Sequence, residues 1–507
     1  MIFFYPVVIF ITITFLTAGR KLFLGGVESD FLGTYLIEAN RFLAGQPLLI
    51  KFHLPLYSVL IALFNQAVHN WFVTGLIVSW ISTAVTLILI FLFFYHLSGR
   101  WAALGALWAL ASSEAFLVHA ASASSDIFFL TLYSAAIWFV FKEHWLAAGL
   151  LAGLSFLTRT NALSLLPFLF APFLLKETRT KKFLHFGLFF SSFLAPVLIW
   201  LVYASQTQTP FFPQETYVNL AMTYFTSGAE RMTQDGYFLM KEKFRNFHDV
   251  MVYDPTHMAL TYLRDLIIMI VRNLNVLVPS WLGLAALLGF PLWVRNSKKP
   301  FVLIYLWVTF LHVLLVNAKA YEDRFYLFLI PLLGASAGFI LERILAQTKK
   351  PALVFFFIFL GSTLFYSWRS YRSLHPPFEK ELEGVIGSAQ VLVPPGSRIV
   401  ARKPHVPFYL ESEQLFFPNV GTLDELKSEL GKLSRGREIF LYYGSYEREM
   451  RSGLFSLSEG RGTEFLLPIA WGSVPHKWVL FSFTLDGRDK RGGPVNRRDS
   501  QNLARTV

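Results

Sequence analysis

The polar groups most able to do chemistry lie between Glu28 and Tyr57, directly after a first apolar segment. Three acids, Glu28, Asp30 and Glu38, are followed by Lys51 and His53. Charges beside a bilayer are costly and usually have a partner or a task. A carboxylate next to a hydroxyl can take its proton as the oxygen attacks carbon, which contributes roughly 10²–10⁴-fold. Asp30 is the candidate general base; the competing reading is a cap for a helix starting near Gly33. Glu28 is a weaker candidate, and Glu38 equally fits the wet face of a surface helix. Glu114 and Asp126 form a second acidic group, although Asp126 in SASSDIFF also suits the positive end of a helix. Arg159, Lys319 and Arg324 supply cations. Arginine suits bidentate binding of phosphate and can stabilise a phosphate leaving group. The alternative for each arginine is an internal ion pair, such as Arg324 with Asp323 or Glu322. His53 and His312 are open to structural or ligand readings. The histidines lack H-x-x-x-H or H-E-x-x-H spacing, so no catalytic metal and no cofactor is expected, weak divalent binding by surface carboxylates aside. There is no P-loop, dinucleotide fingerprint or G-x-S-x-G elbow.

These groups must be positioned by membrane helices. The chain is 54% hydrophobic and 15% charged, against about 25% charged in soluble proteins. Its net charge of +12 sits largely in short inter-span loops, without a basic stripe of the kind that binds nucleic acid. Cysteine is absent, which excludes disulfide and thiolate chemistry. About eleven apolar segments are candidate spans, near 2–18, 71–97, 101–119, 124–142, 145–158, 161–175, 183–203, 274–294, 301–317, 325–342 and 351–368. Lys and Arg prefer the cytoplasmic side, which makes the N-terminus cytoplasmic and separates 145–158 from 161–175. Two long loops then face outward. Loop 19–70 contains Leu36, Ala39, Phe42 and Leu43 at helical spacing, stopped by Gly45-Gln46-Pro47. Loop 204–273 is polar and aromatic, with a turn signal at Asp254-Pro255. The acids and bases named above collect at this outer side.

The predicted organisation is a membrane module over 1–369, an extracytoplasmic α/β domain over 370–485 and a disordered tail over 486–507. In the second domain, 398–401, 438–443 and 478–483 read as strands. Leu423–Leu433 reads as a helix opened by a Thr422/Glu425 capping box.

Three stretches taken in order, SDFLGTYLIEANRFLAGQPLL…FHLPLY (29–57), AAGLLAGLSFLTRTNALSLLP (147–167) and YEDRFYLFLIPLLGASAG (321–338), resemble the GT-C superfamily of integral-membrane glycosyltransferases. The similarity is to the branch of protein mannosyltransferases and lipid A aminoarabinose transferases. It implies a polytopic α-helical membrane fold of the GT-C type. The activity implied is an inverting sugar transfer from a polyprenyl-phosphate carrier on the outer face of the plasma (inner) membrane. The acceptor would be a lipid, glycan or protein. Asp30 matches the first-loop catalytic Asp of that family. Asp126 or Glu114 would stand near its second-loop acid, and Lys51, Arg159 and Arg324 would hold the lipid phosphate. The first-loop acids are split here as Glu28-Ser29-Asp30, which departs from adjacent acids. A lipid-linked-sugar flippase and a glycan polymerase or ligase are the rival readings. Charges at the outer span ends and the lack of internal repeats favour the transferase over the flippase.

Overall fold

The computed structural model describes residues 4–18, 30–175, 178–226, 234–297, 299–317, 322–345, parts of 353–369, 377–459, 465–473 and 477–483. Glu28, Lys319 and the tail from 486 lie outside the described residues. Chain contacts divide into two units, Met1–His375 and Pro376–Val507.

The first unit is helical. Helix α1 is Phe4–Ala18. A π-helical turn, Phe31–Tyr35, leads into α2, Leu36–Leu43, and α3 is Leu56–Val68. Next come α4 (Trp71–Ser98), α5 (Arg100–Ala111), α6 (Glu114–Ala120), α7 (Ser125–Phe141) and α8 (Trp145–Thr158). A 3₁₀ helix, Thr160–Phe170, carries Pro167 and ends in the short α9, Ala171–Leu174. Then follow α10 (Arg179–Thr207), α11 (Thr216–Phe225), α12 (Gln234–Lys243), α13 (Phe247–Tyr253), α14 (Pro255–Val276), α15 (Ser280–Asn296) and α16 (Lys299–Asn317). A 3₁₀ helix, Asp323–Leu329, runs directly into α17, Ile330–Leu345.

Among the described residues, four helices are long and apolar enough to cross a membrane alone, or six when each of two bent pairs is taken as one span. The candidate span at 101–119 is one such pair, bent by 72° between α5 and α6. Its break follows from local chemistry: Ser113 leaves helical geometry and its side chain accepts the Phe116 N–H at 3.3 Å. The second pair corrects the expected loop at 204–273. Asp254-Pro255 is a helix start instead of a turn: the Asp254 carboxylate accepts the His257 N–H at 2.9 Å, and Pro255 occupies the first helical position. Helix α14 then meets α15 at 116°.

Glycines set close helix contacts, of which two bear on the arginines Arg159 and Arg324. A Cβ on Gly105 of α5 would lie 2.2 Å from the Gly334 carbonyl oxygen of α17, and one on Gly149 of α8 would lie 2.2 Å from the Phe189 carbonyl oxygen of α10. Only small residues allow backbones to approach this far in a membrane bundle.

The second unit is a five-stranded sheet built from β1 (Arg398–Ala401), β2 (Glu413–Phe416), β3 (Ile439–Tyr443), β4 (Leu467–Gly472) and β5 (Trp478–Phe483). The order is β2-β1-β3-β5-β4, with β1 parallel to β2 and β3 and the other pairs antiparallel. Ile399 pairs with Phe440, and Leu441 with Phe481. The helix Leu423–Ser434 begins with the reciprocal Thr422/Glu425 capping box and buries Leu426 and Leu430 in the core of the sheet.

Candidate functional site

Asp30 immediately precedes the π-helical turn, and its side chain makes no cap bond there. Its Oδ2 instead accepts a hydrogen bond from Arg324 Nη1 at 3.0 Å, 294 residues away in sequence. His53 Nε2 stands 3.9 Å from the same oxygen, and the His53 ring stacks on Tyr35 at 4.7 Å between centroids. The Asp30 side chain is 32% exposed. Burial pushes its carboxyl up, but Arg324, His53 and Arg159 outweigh that and hold it at about 2. His53 is driven down to about 3, first by burial and then by the two guanidinium groups, against the pull of Asp30. Asp30 is therefore ionised and His53 neutral near pH 7.

Asp126 and Arg159 form the buried half of the cluster. Helix α7 is capped by Ser124, whose hydroxyl accepts the Asp126 N–H at 3.2 Å and donates to Asp126 Oδ2 at 3.3 Å. Helix α8 ends at Thr158, and extended backbone at Arg159 (φ −147°, ψ 133°) turns its side chain towards α7. Arg159 Nη2 lies 2.8 Å from Asp126 Oδ2 and donates to Ser125 Oγ at 2.9 Å. Their side chains are 8% and 3% exposed. Ser125 also shares a 2.8 Å hydrogen bond with the Tyr35 hydroxyl, which ties this pair to the first loop.

Arg324 joins the two halves. Besides Asp30, its Nη1 is 3.9 Å from Asp126 Oδ2, and its Nε is paired with Glu322. Both guanidinium groups lie over Phe325, Arg159 at 5.6 Å and Arg324 at 5.2 Å from the ring centre. A small pocket opens here, lined by Asp126, Arg159, Asn161, Arg324, Phe325 and Phe328 among others. Among the described residues the cluster thus holds three carboxylates, two guanidinium groups and one neutral imidazole. Arg324 Nη1 stands between Asp30 and Asp126, 3.0 Å from one carboxylate oxygen and 3.9 Å from the other. Among the described residues no three His, Asp or Glu side chains are grouped as metal ligands.

Of the residues singled out from sequence, Asp30, His53, Asp126, Arg159 and Arg324 come together. Glu38 does not join them. It is 4% exposed instead of lying on a wet face, and its carboxylate accepts the N–H groups of Leu49 and Ile50 at 2.9 Å. Burial pushes that carboxyl up. Lys51 is exposed, and its carbonyl accepts the Glu215 N–H at 2.9 Å, which fastens loop 19–70 to the chain before α11. Glu114 opens α6 and pairs with Arg369 at 3.2 Å, which answers the cost of a charge in that segment. His312 is buried, bonded to Ser164 Oγ at 3.0 Å. Tyr35, Ser125 and Phe325 carry the cluster without having been singled out for it; only Phe325 had a signal, the Arg-aromatic step it makes with Arg324.

The first unit is a helical bundle with several helices long and apolar enough to cross a membrane, and its charged side chains gather around Asp30, Asp126, Arg159 and Arg324. Residues 52–200 match the family model of dolichyl-phosphate-mannose-protein mannosyltransferase. The whole chain is similar to the structure of ArnT from Cupriavidus metallidurans bound to undecaprenyl phosphate, at 13% identity and a TM-score of 0.56 over 96% of this chain and 99% of that one. The apo state of the same protein matches at 14% identity and a TM-score of 0.55, over 96% and 99%. The Archaeoglobus fulgidus oligosaccharyltransferase, in complex with Zn and sulfate, matches at 11% identity and a TM-score of 0.53, over 97% of this chain and 74% of that one. No curated protein matches the chain. Likeness at this level shows the polytopic helical fold expected from the sequence.

Proposed function

We propose that the chain is an inverting glycosyltransferase that moves a sugar from a polyprenyl-phosphate carrier to an acceptor hydroxyl on the outer face of the plasma membrane. The observation that carries this reading is the pairing of an ionised Asp30 with Arg324, which lines one small pocket together with Arg159 and Asp126. The acceptor oxygen attacks the anomeric carbon, its proton passes to Asp30, and the bond from that carbon to the phosphate oxygen breaks. Polyprenyl phosphate leaves as an anion, stabilised by the guanidinium groups. Undecaprenyl phosphate bound to the similarly folded ArnT supports a donor of this class.

The test is transfer of radiolabelled sugar from a panel of polyprenyl-phosphate sugars by membranes carrying wild type or Asp30→Asn. A working general base predicts a loss of about 10²–10⁴-fold in the variant. Unchanged transfer in Asp30→Asn would refute the role of Asp30. No transfer from any donor, with labelled lipid moving across the bilayer, would replace the transferase by a flippase.

A further inference from the structure

We propose that Glu322 competes with the donor phosphate for Arg324, so that arrival of a lipid-linked phosphate releases Asp30 from its guanidinium partner. This rests on the reading of the site as one for a polyprenyl-phosphate sugar. Arg324 is shared: Nη1 donates to Asp30, Nε pairs with Glu322, and Asp126 stands 3.9 Å from Nη1. Arg159 is committed to Asp126 and Ser125. Among the described residues, Asp30, Asp126 and Glu322 against two guanidinium groups leave no surplus positive charge to attract an anion. A phosphate therefore binds by exchange: a guanidinium N–H leaves a carboxylate oxygen and donates to a phosphate oxygen.

Exposure decides which carboxylates yield. Asp126 is buried and keeps Arg159 and Ser124. Asp30 and Glu322 are each about a third exposed, so water can take over their lone pairs when Arg324 moves. The Phe325 ring, which lies beneath both guanidinium groups, gives Arg324 a surface to slide on without losing its neighbour. After the exchange Asp30 keeps His53, a neutral group, and becomes the stronger base that proton abstraction requires. Base strength and donor occupancy are thereby linked, and Glu322 is a positioning residue that acts through Arg324.

The experiment measures the affinity of the full chain for undecaprenyl phosphate in nanodiscs of phosphatidylcholine, which has no net charge. Glu322→Gln removes one competitor, so affinity rises by about two- to fivefold, the range expected for a partly exposed ion pair. Asp30→Asn shifts it in the same direction. The gain from Glu322→Gln disappears in an Arg324→Ala background, as a double-mutant cycle requires of a direct competition. Asp265→Asn, which removes a carboxylate paired with Arg264 on α14, leaves affinity unchanged. A gain in affinity is not produced by structural damage, so the direction itself is diagnostic. Unchanged or weaker binding by Glu322→Gln beside a wild type that binds overturns the competition and leaves the donor site standing. An equal gain in Asp265→Asn also overturns it, by showing a general charge effect. A wild type that does not bind the lipid overturns the donor reading itself.

Discussion

Asp126 and Asp30 carry the same charge in one cluster, yet neutralising them should have opposite consequences. Asp126→Asn leaves Arg159 with its charge, 8% exposed and without its 2.8 Å carboxylate. Removing one member of a buried ion pair costs roughly 3–5 kcal/mol, because the remaining charge stays buried after losing its counter-ion. An unfolding entropy of roughly 2 cal/mol/K per residue, applied to a unit spanning Met1–His375, converts this to a fall in melting temperature of about 4–6 °C. Asp30 is 32% exposed, so Asp30→Asn should cost about 1 kcal/mol or less and shift melting by about 1 °C while stopping transfer. The assay is thermal unfolding of purified protein in one detergent, wild type and both variants side by side. If Asp126→Asn melts with wild type but no longer binds undecaprenyl phosphate, Asp126 is a ligand-binding group and its reading as a brace for Arg159 is wrong.

Three further outcomes follow from the contacts. Folded His53 titrates near 3 whereas an ordinary imidazole titrates near 6.5, so the unfolded chain binds the proton first; stability should decline as pH falls from about 6.5 towards 3, and His53→Asn should flatten that part of a melting-temperature profile. Glu38→Gln leaves a single acceptor oxygen for two N–H groups, costs about 1–3 kcal/mol and should speed hydrogen exchange at Leu49 and Ile50 before other amides of the loop. Thr422→Ala removes a cap whose Oγ1 accepts the Glu425 N–H at 3.3 Å and should destabilise the second unit by about 1 kcal/mol, read by denaturant unfolding of the full chain followed at Trp478.

The parts legible in the sequence are those with a local signature. Strands β1, β3 and β5 are the inner strands of the sheet, and Ile439–Tyr443 and Trp478–Phe483 are buried on both faces, so the first reads as an unbroken apolar run and the second as one interrupted only by Ser482. The two strands that sequence reading misses are its edges: β2 opens with exposed Glu413, and β4 contains Pro468. Helix α14 is hidden for a similar reason. Arg264, Asp265 and Arg272 dilute its apolar residues, and its Asp-Pro start has the composition of a turn. In the cluster, outward placement of charged residues groups Asp30, Asp126, Arg159 and Arg324, but it does not say which carboxylate meets which guanidinium. The burial of Glu38 is equally non-local, since its partners are backbone N–H groups brought back after the turn at Gly45, where φ is +64°.

The glycine contacts give the two arginines separate foundations. Arg159 follows α8, whose backbone abuts that of α10 at Gly149. Arg324 lies in the 3₁₀ turn that continues as α17, whose backbone abuts that of α5 at Gly105. Each contact sets the spacing of its two helices backbone to backbone. The two arms meet at one carboxylate oxygen of Asp126, Arg159 Nη2 at 2.8 Å and Arg324 Nη1 at 3.9 Å, so the spacing of the two guanidinium groups is set by where these two helix pairs end.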